Sequence, residues 1–267
     1  MAIQRLEKSL SGLIFFRQFL TDPTADIFHA FLRGAFSVAE RKTELPEFQV
    51  RRPLSDIEYI YGELKQSFMV GEFEPGQKIT LPLLAEAFGT SQMPIREAMN
   101  RLVVARAMEA LPRRSLRVPE ATIARLNALL PLRLLLEGEA ARLAVQSDHR
   151  ALADELDSVD EQMDAMVGAE DRKGYLRLNQ QFHFVLYRRC GNDDLIDMIE
   201  SLWMRYGPLM NIVRSQVLSS TGHHHHTHVI DHVRAGNADA AQRAIRQDID
   251  DAAIAIRQMI ASKATGV

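Results

Sequence analysis

Two stretches of this chain hold side chains able to do chemistry beyond packing. The first, "TSQMPIREAMNRL" (Thr90 to Leu102), sets polar and basic residues at the start of a short amphipathic segment. Ser91 can cap a helix there. Pro94 fits the first turn, where a missing N–H leaves no intrahelical bond unmade. Ile95, Ala98, Met99 and Leu102 recur at helical spacing and predict one buried face. Gln92, Arg96, Asn100 and Arg101 are left near the start or on exposed faces. Either this is a solvated surface helix, or its N-terminal end enters a DNA groove.

The second stretch, "TGHHHHTHVIDH" (Thr221 to His232), admits three readings: a purification tag, a solvated patch or a metal site. Helix geometry separates its members. Val229, Ile230 and Val233 define an inward face, and His226 precedes them by three, four and seven residues, so it points in with them. His228 and His232 lie four apart on a flank, while His223 and His224 fall in solvent near the expected helix start. Elsewhere Asn179 and His183 are four apart on a face with Leu186 and Tyr187, and Asp248 shares a face with Ala241, Ile245 and Ala252. The one cysteine, Cys190, sits beside Gly191 and reads as packing or turn chemistry rather than a nucleophile.

The elements that must position these groups fall into two parts of unlike charge. The 267 residues carry a net charge of only −3. From Gly76 to Val118, however, seven basic residues stand against three acidic ones, and from Pro119 onward sixteen stand against twenty-one. A small basic module joined to a larger acidic one suits a DNA reader attached to something else. No apolar run is long enough to span a bilayer. The patch "LSGLIFF" follows Glu7 and Lys8, is interrupted at Arg17 and has no clean cleavage site after it, so it is not read as a signal peptide. A lone cysteine fits a reducing compartment, and a cytoplasmic protein is expected.

Residues 1–52 are read as an extension of unknown role. Leu10, Leu13, Phe16 and Leu20 hint at a helix, and "TELPEFQVRRP" looks like a linker. Over 53–118 the signals sharpen. Ile57, Ile60, Tyr61, Leu64 and Phe68 make one stripe, ended by Gly71 and the turn "EPGQ". Thr80 caps a second helix with Pro82 in its first turn, and three turn residues lead into "TSQMPIREAMNRL". Two helices joined so tightly form a helix-turn-helix. "MEALPRRSLRVP" then predicts a short hairpin, a wing, with Arg113 and Arg114 at its tip. Over 119–262 the pattern predicts helices near 120–147, 149–168, 171–190, 192–216, 223–236 and 237–262. Their short loops imply an antiparallel all-α helical bundle, so the fold class is mainly α.

"GEFEPGQKI", "LLAEAFGTSQMPIREAMNRL" and "PRRSLRV" together resemble the winged helix-turn-helix of the GntR family of bacterial transcription regulators. "LNALLPLRLLLEGEAARLAV" resembles the opening helix of that family's FadR-type (FCD) effector domain. The resemblance implies a homodimer that sets two wings and two recognition helices on a palindromic double-stranded DNA operator, and an organic acid bound in the bundle that changes their affinity. DNA contacts are implied for Ser91, Gln92, Arg96, Arg101, Arg113 and Arg114. The chain departs from the family at three places: Gln92 where Arg is usual, Ser115 where the wing has Gly, and Ala105-Arg106 for Glu-Gly. Because Gln reads adenine whereas Arg typically reads guanine, operator preference should differ from that of Arg-bearing relatives.

The resemblance also implies a metal set. The family often has Asp-x3-His on one helix and a His on each of two later ones; the matching positions here are Asn179, His183, His226 and Asp248. Asn for Asp removes a charge and Asp for His restores one. Two imidazoles with oxygen donors suit zinc, nickel or manganese. The alternative is a polar pocket in which these groups bond one another or a ligand. Arg133 stands where the family's Arg faces the effector, its planar fork suited to a carboxylate; its alternative is a helix pair with Glu137. Two further functions compete with the regulator: a metalloenzyme built on His183, His226 and Asp248, and a regulator turned interaction module. Against the enzyme, the sequence shows no HExxH, nucleophile motif or positioned base.

Overall fold

The computed structural model describes residues 56–111, 116–147, 149–213 and 215–265, with backbone alone at 215–224 and 264–265. The N-terminal extension, Arg113, Arg114 and Ser115, and the side chains of His223 and His224 lie outside the described residues. The chain begins with α1 (Asp56–Met69), β1 (Lys78–Ile79), α2 (Leu81–Ala87), α3 (Gln92–Val104), β2 (Glu109–Ala110) and β3 (Leu116–Arg117). The Thr80 hydroxyl accepts from the Leu83 N–H and starts α2, as its residue type implies. Ser91 stands at the N-cap of α3 but makes no cap hydrogen bond. The spaced residues Ile95, Ala98, Met99 and Leu102 are all buried, packed with Ile60, Leu64 and Phe68 of α1. β3 lies between β1 and β2, antiparallel to both, with Ile79 and Ala110 each opposite Leu116. This is a winged helix-turn-helix.

Six helices follow: α4 (Ile123–Val145), α5 (His149–Gly168), α6 (Arg172–Tyr187), α7 (Asp193–Met210), α8 (Ser215–Arg234) and α9 (Ala238–Thr265). α4 packs on α9 and α7, α8 on α9 and α5, and α5 on α6. The fold is mainly α, a winged head with an all-α bundle, as expected. Two boundaries differ most from the periodicity reading. The helix expected over 192–216 ends at Met210, where Asn211 donates its N–H to Gly207 O and the next two residues close tighter turns. The helix expected from 223 starts at Ser215 and runs through Gly222. A glycine inside a helix costs only about 1 kcal/mol, which the packing of Val229, Ile230 and Val233 offsets, so it was a weak stop signal.

Head and bundle touch through α1 and α7. At Gly207 a Cβ would stand 1.9 Å from the Phe68 carbonyl oxygen, so the two helices approach at backbone distance. The Asn211 amide donates to Gly71 O at 2.6 Å, and Lys65 pairs with Glu200. Arg125, at the start of α4, donates from one Nη2 to Arg106 O just past α3 (3.4 Å) and to Arg205 O in α7 (3.1 Å). Arg106 itself has φ 57°, a left-handed conformation that favours glycine, in keeping with the glycine usual at that place.

Candidate DNA-reading surface and metal pocket

The start of α3 is open to solvent. Ser91, Gln92, Arg96 and Asn100 are all exposed, on the side opposite the buried face. Arg101 is exposed too, but its Nη2 lies 2.8 Å from Glu58 and its guanidinium 5.4 Å from the Tyr61 ring centroid. Hydrogen bonding to Glu58 pushes its pKa further up, and it stays a cation. An exposed pair of this kind is weakened by water and salt, so a phosphate can displace the carboxylate. A helix start lined with Gln, Arg and Asn, beside a wing, fits a major groove.

In the bundle, three of the four expected metal ligands converge. One ligand atom from each of His183 (α6), His226 (α8) and Asp248 (α9) lies within 4.8 Å of the others, and all three residues are buried. Asn179 is buried one turn before His183 on the same face of α6. His226 is fully buried, as its spacing from Val229 and Val233 implied.

Hydrogen bonds fix which ring nitrogens face inward. The Tyr187 hydroxyl donates to Glu137 Oε2 at 2.8 Å, so at 2.9 Å it accepts from His183 Nδ1–H. His183 Nε2 therefore carries the lone pair, and it lies 3.3 Å from Asp248 Oδ2. A lone pair facing a carboxylate repels unless a cation stands between them. At His226 the Nδ1 lies 2.9 Å from the Asp160 carboxylate, and Nε2 is buried with no partner. Burial lowers the His183 pKa well below its ordinary value, helped by His226 and Arg133. Burial likewise raises that of Asp248, against the pull of His226, His225 and Arg133. Two Nε2 edges and a carboxylate that resists being left as a bare anion are a donor set suited to a divalent ion. On this orphaned nitrogen and these tautomers, the residues fit the metal.

Arg133 forms the pair with Glu137 that was its alternative reading. Nε and Nη2 donate to the two carboxylate oxygens at 2.6 and 3.0 Å, with the side chains 3% and 0% exposed. The guanidinium lies 4.0 Å from the Tyr206 ring centroid and 4.8 Å from that of Trp203, whose indole N–H also reaches Glu137. Burial alone would lower the Arg133 pKa, but the charge of Glu137 overcomes it and the group stays protonated. This is a buried, many-bonded pair, unlike the surface helix pair that spacing alone implied. With both Nε and Nη2 engaged by Glu137, the fork is not open to another carboxylate unless Glu137 gives way.

Sequence reasoning missed Asp160 as a participant. Its signal was available: it is a lone acid on a face made of Leu152, Leu156, Val159 and Met163. The role of Trp203, and the reach of Glu137 to Tyr187 and Trp203, came only from tertiary placement.

A winged helix-turn-helix docked on an all-α bundle with a buried His–His–Asp cluster is the architecture of a DNA-binding transcription regulator. A model of bacterial regulatory proteins of the gntR family matches residues 57–118, and the FCD domain model matches residues 128–251; the chain belongs to the GntR family and carries an FCD domain. It is 32% identical to the HTH-type transcriptional regulator McbR of Escherichia coli K12 over 149 residues, 56% of this chain and 67% of that one. It is 27% identical to the uncharacterized HTH-type transcriptional regulator YdhC of Bacillus subtilis 168 over 207 residues, covering 74% and 90%. The solved structure of E. coli McbR/YncC superposes with a TM-score of 0.73 at 24% identity, covering 77% of this chain and 99% of that one, a likeness of fold. No described helix is long and apolar enough to cross a membrane.

Proposed function

We propose that this regulator is a cytoplasmic homodimer that binds a double-stranded DNA operator and senses a small organic acid through a bound divalent metal. The division of labour gives DNA to 53–118 and sensing with pairing to 119–262, leaving 1–52 without a role. In the head, Ser91, Gln92, Arg96 and Arg101 contact DNA with the wing arginines Arg113 and Arg114. In the bundle, His183, His226 and Asp248 hold zinc, nickel or manganese, with Asn179 adding an amide oxygen. The observation that carries the metal reading is the convergence of one ligand atom each from buried His183, His226 and Asp248, with His226 Nε2 left unbonded.

When bound, the ion supplies positive charge that neutralises Asp248 and attracts an acidic effector. The chain's own residues do the rest: Tyr187 and Glu137 orient His183, and Arg133 adds fixed positive charge beside the pocket. Pairing of two copies is supported by an apolar stripe on α4. Ala124, Ala128, Pro131, Leu132 and Leu135 lie within one face and are exposed, Leu132 at 44% and Leu135 at 58%. Effector binding then favours one spacing of the two heads, and a coupling of about 1–3 kcal/mol changes operator affinity roughly five- to 150-fold.

The test is metal content. Protein purified without a tag or metal column is analysed for elements, then stripped and titrated with zinc or manganese while its melting temperature is followed. One ion per chain and a raised melting temperature are expected. No uptake of either ion and no shift would sink the metal reading.

A further inference from the structure

We propose that Asp160 is a positioning residue of the metal site, holding the Nδ1 proton of His226 so that Nε2 of that ring is the ligating atom. The inference rests on the metal reading above and brings in a further helix. α5 supplies none of the three clustered residues, yet Asp160 is buried on its apolar face, with Leu152, Leu156, Val159 and Met163. A carboxylate on such a face costs desolvation unless a partner uses it. One such partner is His226, whose Nδ1 lies 2.9 Å from Oδ1.

With the Asp160 oxygen as acceptor, the proton of this bond is on Nδ1. The ring cannot readily turn the other way. It stacks on Phe182 at 3.9 Å between centroids and 13° between planes, and a half-turn would bring a ring C–H against the carboxylate. Nε2 is thereby aimed, buried and without a bond, which a native interior rarely leaves unless a ligand completes it. A carboxylate behind a ligating imidazole fixes the ring and makes it a stronger donor.

His183 is held differently. Its Nδ1 meets the neutral Tyr187 hydroxyl, which passes the bond on to Glu137. Asp160 touches His226 directly, so this ring is held by a carboxyl group itself rather than through a hydroxyl. The site then spans four helices, α5, α6, α8 and α9, and the outer carboxylate on α5 sets how tightly α8 holds the ion.

Full-length wild type, Asp160→Asn and Asp160→Ala are stripped of metal and compared. Zinc and manganese affinities are measured by competition with a coloured chelator. The ring tautomers of the metal-free chains are read by long-range 15N–1H NMR. The wild-type His226 is expected as the Nδ1–H tautomer. D160N should bind zinc about 10- to 100-fold more weakly, with a metal-free melting temperature close to wild type. D160A should lose the single tautomer. Equal zinc affinity in D160N and wild type, or an Nε2–H tautomer in wild type, overturns the role of Asp160 while leaving the metal site standing. Failure of wild type itself to take up either ion overturns the metal reading and this inference together. Should D160A not fold, D160N and the wild-type tautomer still decide.

Discussion

At the scale of single residues, charge and burial together decide which side chains carry function. Arg96 is exposed beside Gln92, while Arg101 leans on Glu58 and Tyr61. If both face phosphates, Arg96→Ala with Arg101→Ala should weaken binding to promoter DNA flanking the gene and flatten its salt dependence. The slope of log affinity against log salt falls by about 0.9 for each phosphate that is no longer neutralised. Fluorescence anisotropy at several salt concentrations checks this, and an unchanged slope would place the helix off the backbone. Asp248 gives a prediction of opposite sense. Its folded pKa is raised, so the native state holds the proton more tightly than the unfolded chain. Metal-free stability therefore falls as pH rises from the unfolded value near 3.8 through the folded one, and the loss is complete above it. Asp248→Asn should accordingly raise the metal-free melting temperature at neutral pH and abolish the further rise on adding zinc. A metal-free D248N less stable than wild type at neutral pH would refute the account. Most of these residues were legible from type and spacing; the state of Arg133 was not, because only tertiary packing turns a helix-spaced Arg and Glu into a buried pair.

At the scale of elements, α6 and α7 each face two ways. α6 turns Asn179 and His183 toward the pocket, while Gln180 accepts from Gln66 of α1 at 3.1 Å and Arg177 pairs with Glu72. α7 sets Trp203 and Tyr206 against Arg133 and offers the carbonyl of Arg205 to Arg125. Arg125 then joins α7 to the end of α3. Removing that bracket with Arg125→Ala should leave operator binding of the metal-free protein within a few-fold of wild type. The ratio of operator affinities with and without zinc should fall toward one, since a coupling needs a physical link between the two states. Anisotropy titrations of both proteins with and without zinc measure this; an undiminished ratio in the variant would show that the signal takes another route. The elements themselves were largely readable, because caps and apolar spacing are local. The end of α7 and the start of α8 were not. A glycine at 222 resembles a boundary, whereas packing further along the same helix decides that it is none.

At the scale of the whole molecule, the proposed reading of a palindrome needs two heads at a fixed separation, and so a second copy of the chain. The exposed stripe on α4 predicts where it binds. Leu132→Glu with Leu135→Glu should convert a dimer into monomers in sedimentation velocity and weaken operator binding, as each head would then engage its half-site alone. A variant that remains dimeric would move the interface elsewhere. Charge asymmetry and motif order disclosed the two-part plan of the chain. How one part rests on the other lay beyond them, since no local pattern marks a helix crossing. That crossing has a consequence of its own. At Gly207 the helical bundle leaves no room for even one carbon against the backbone of the head. Any other amino acid there would drive a wedge between receiver and instrument. The crossing therefore tolerates no side chain: a lone methyl would push the helical bundle off the head.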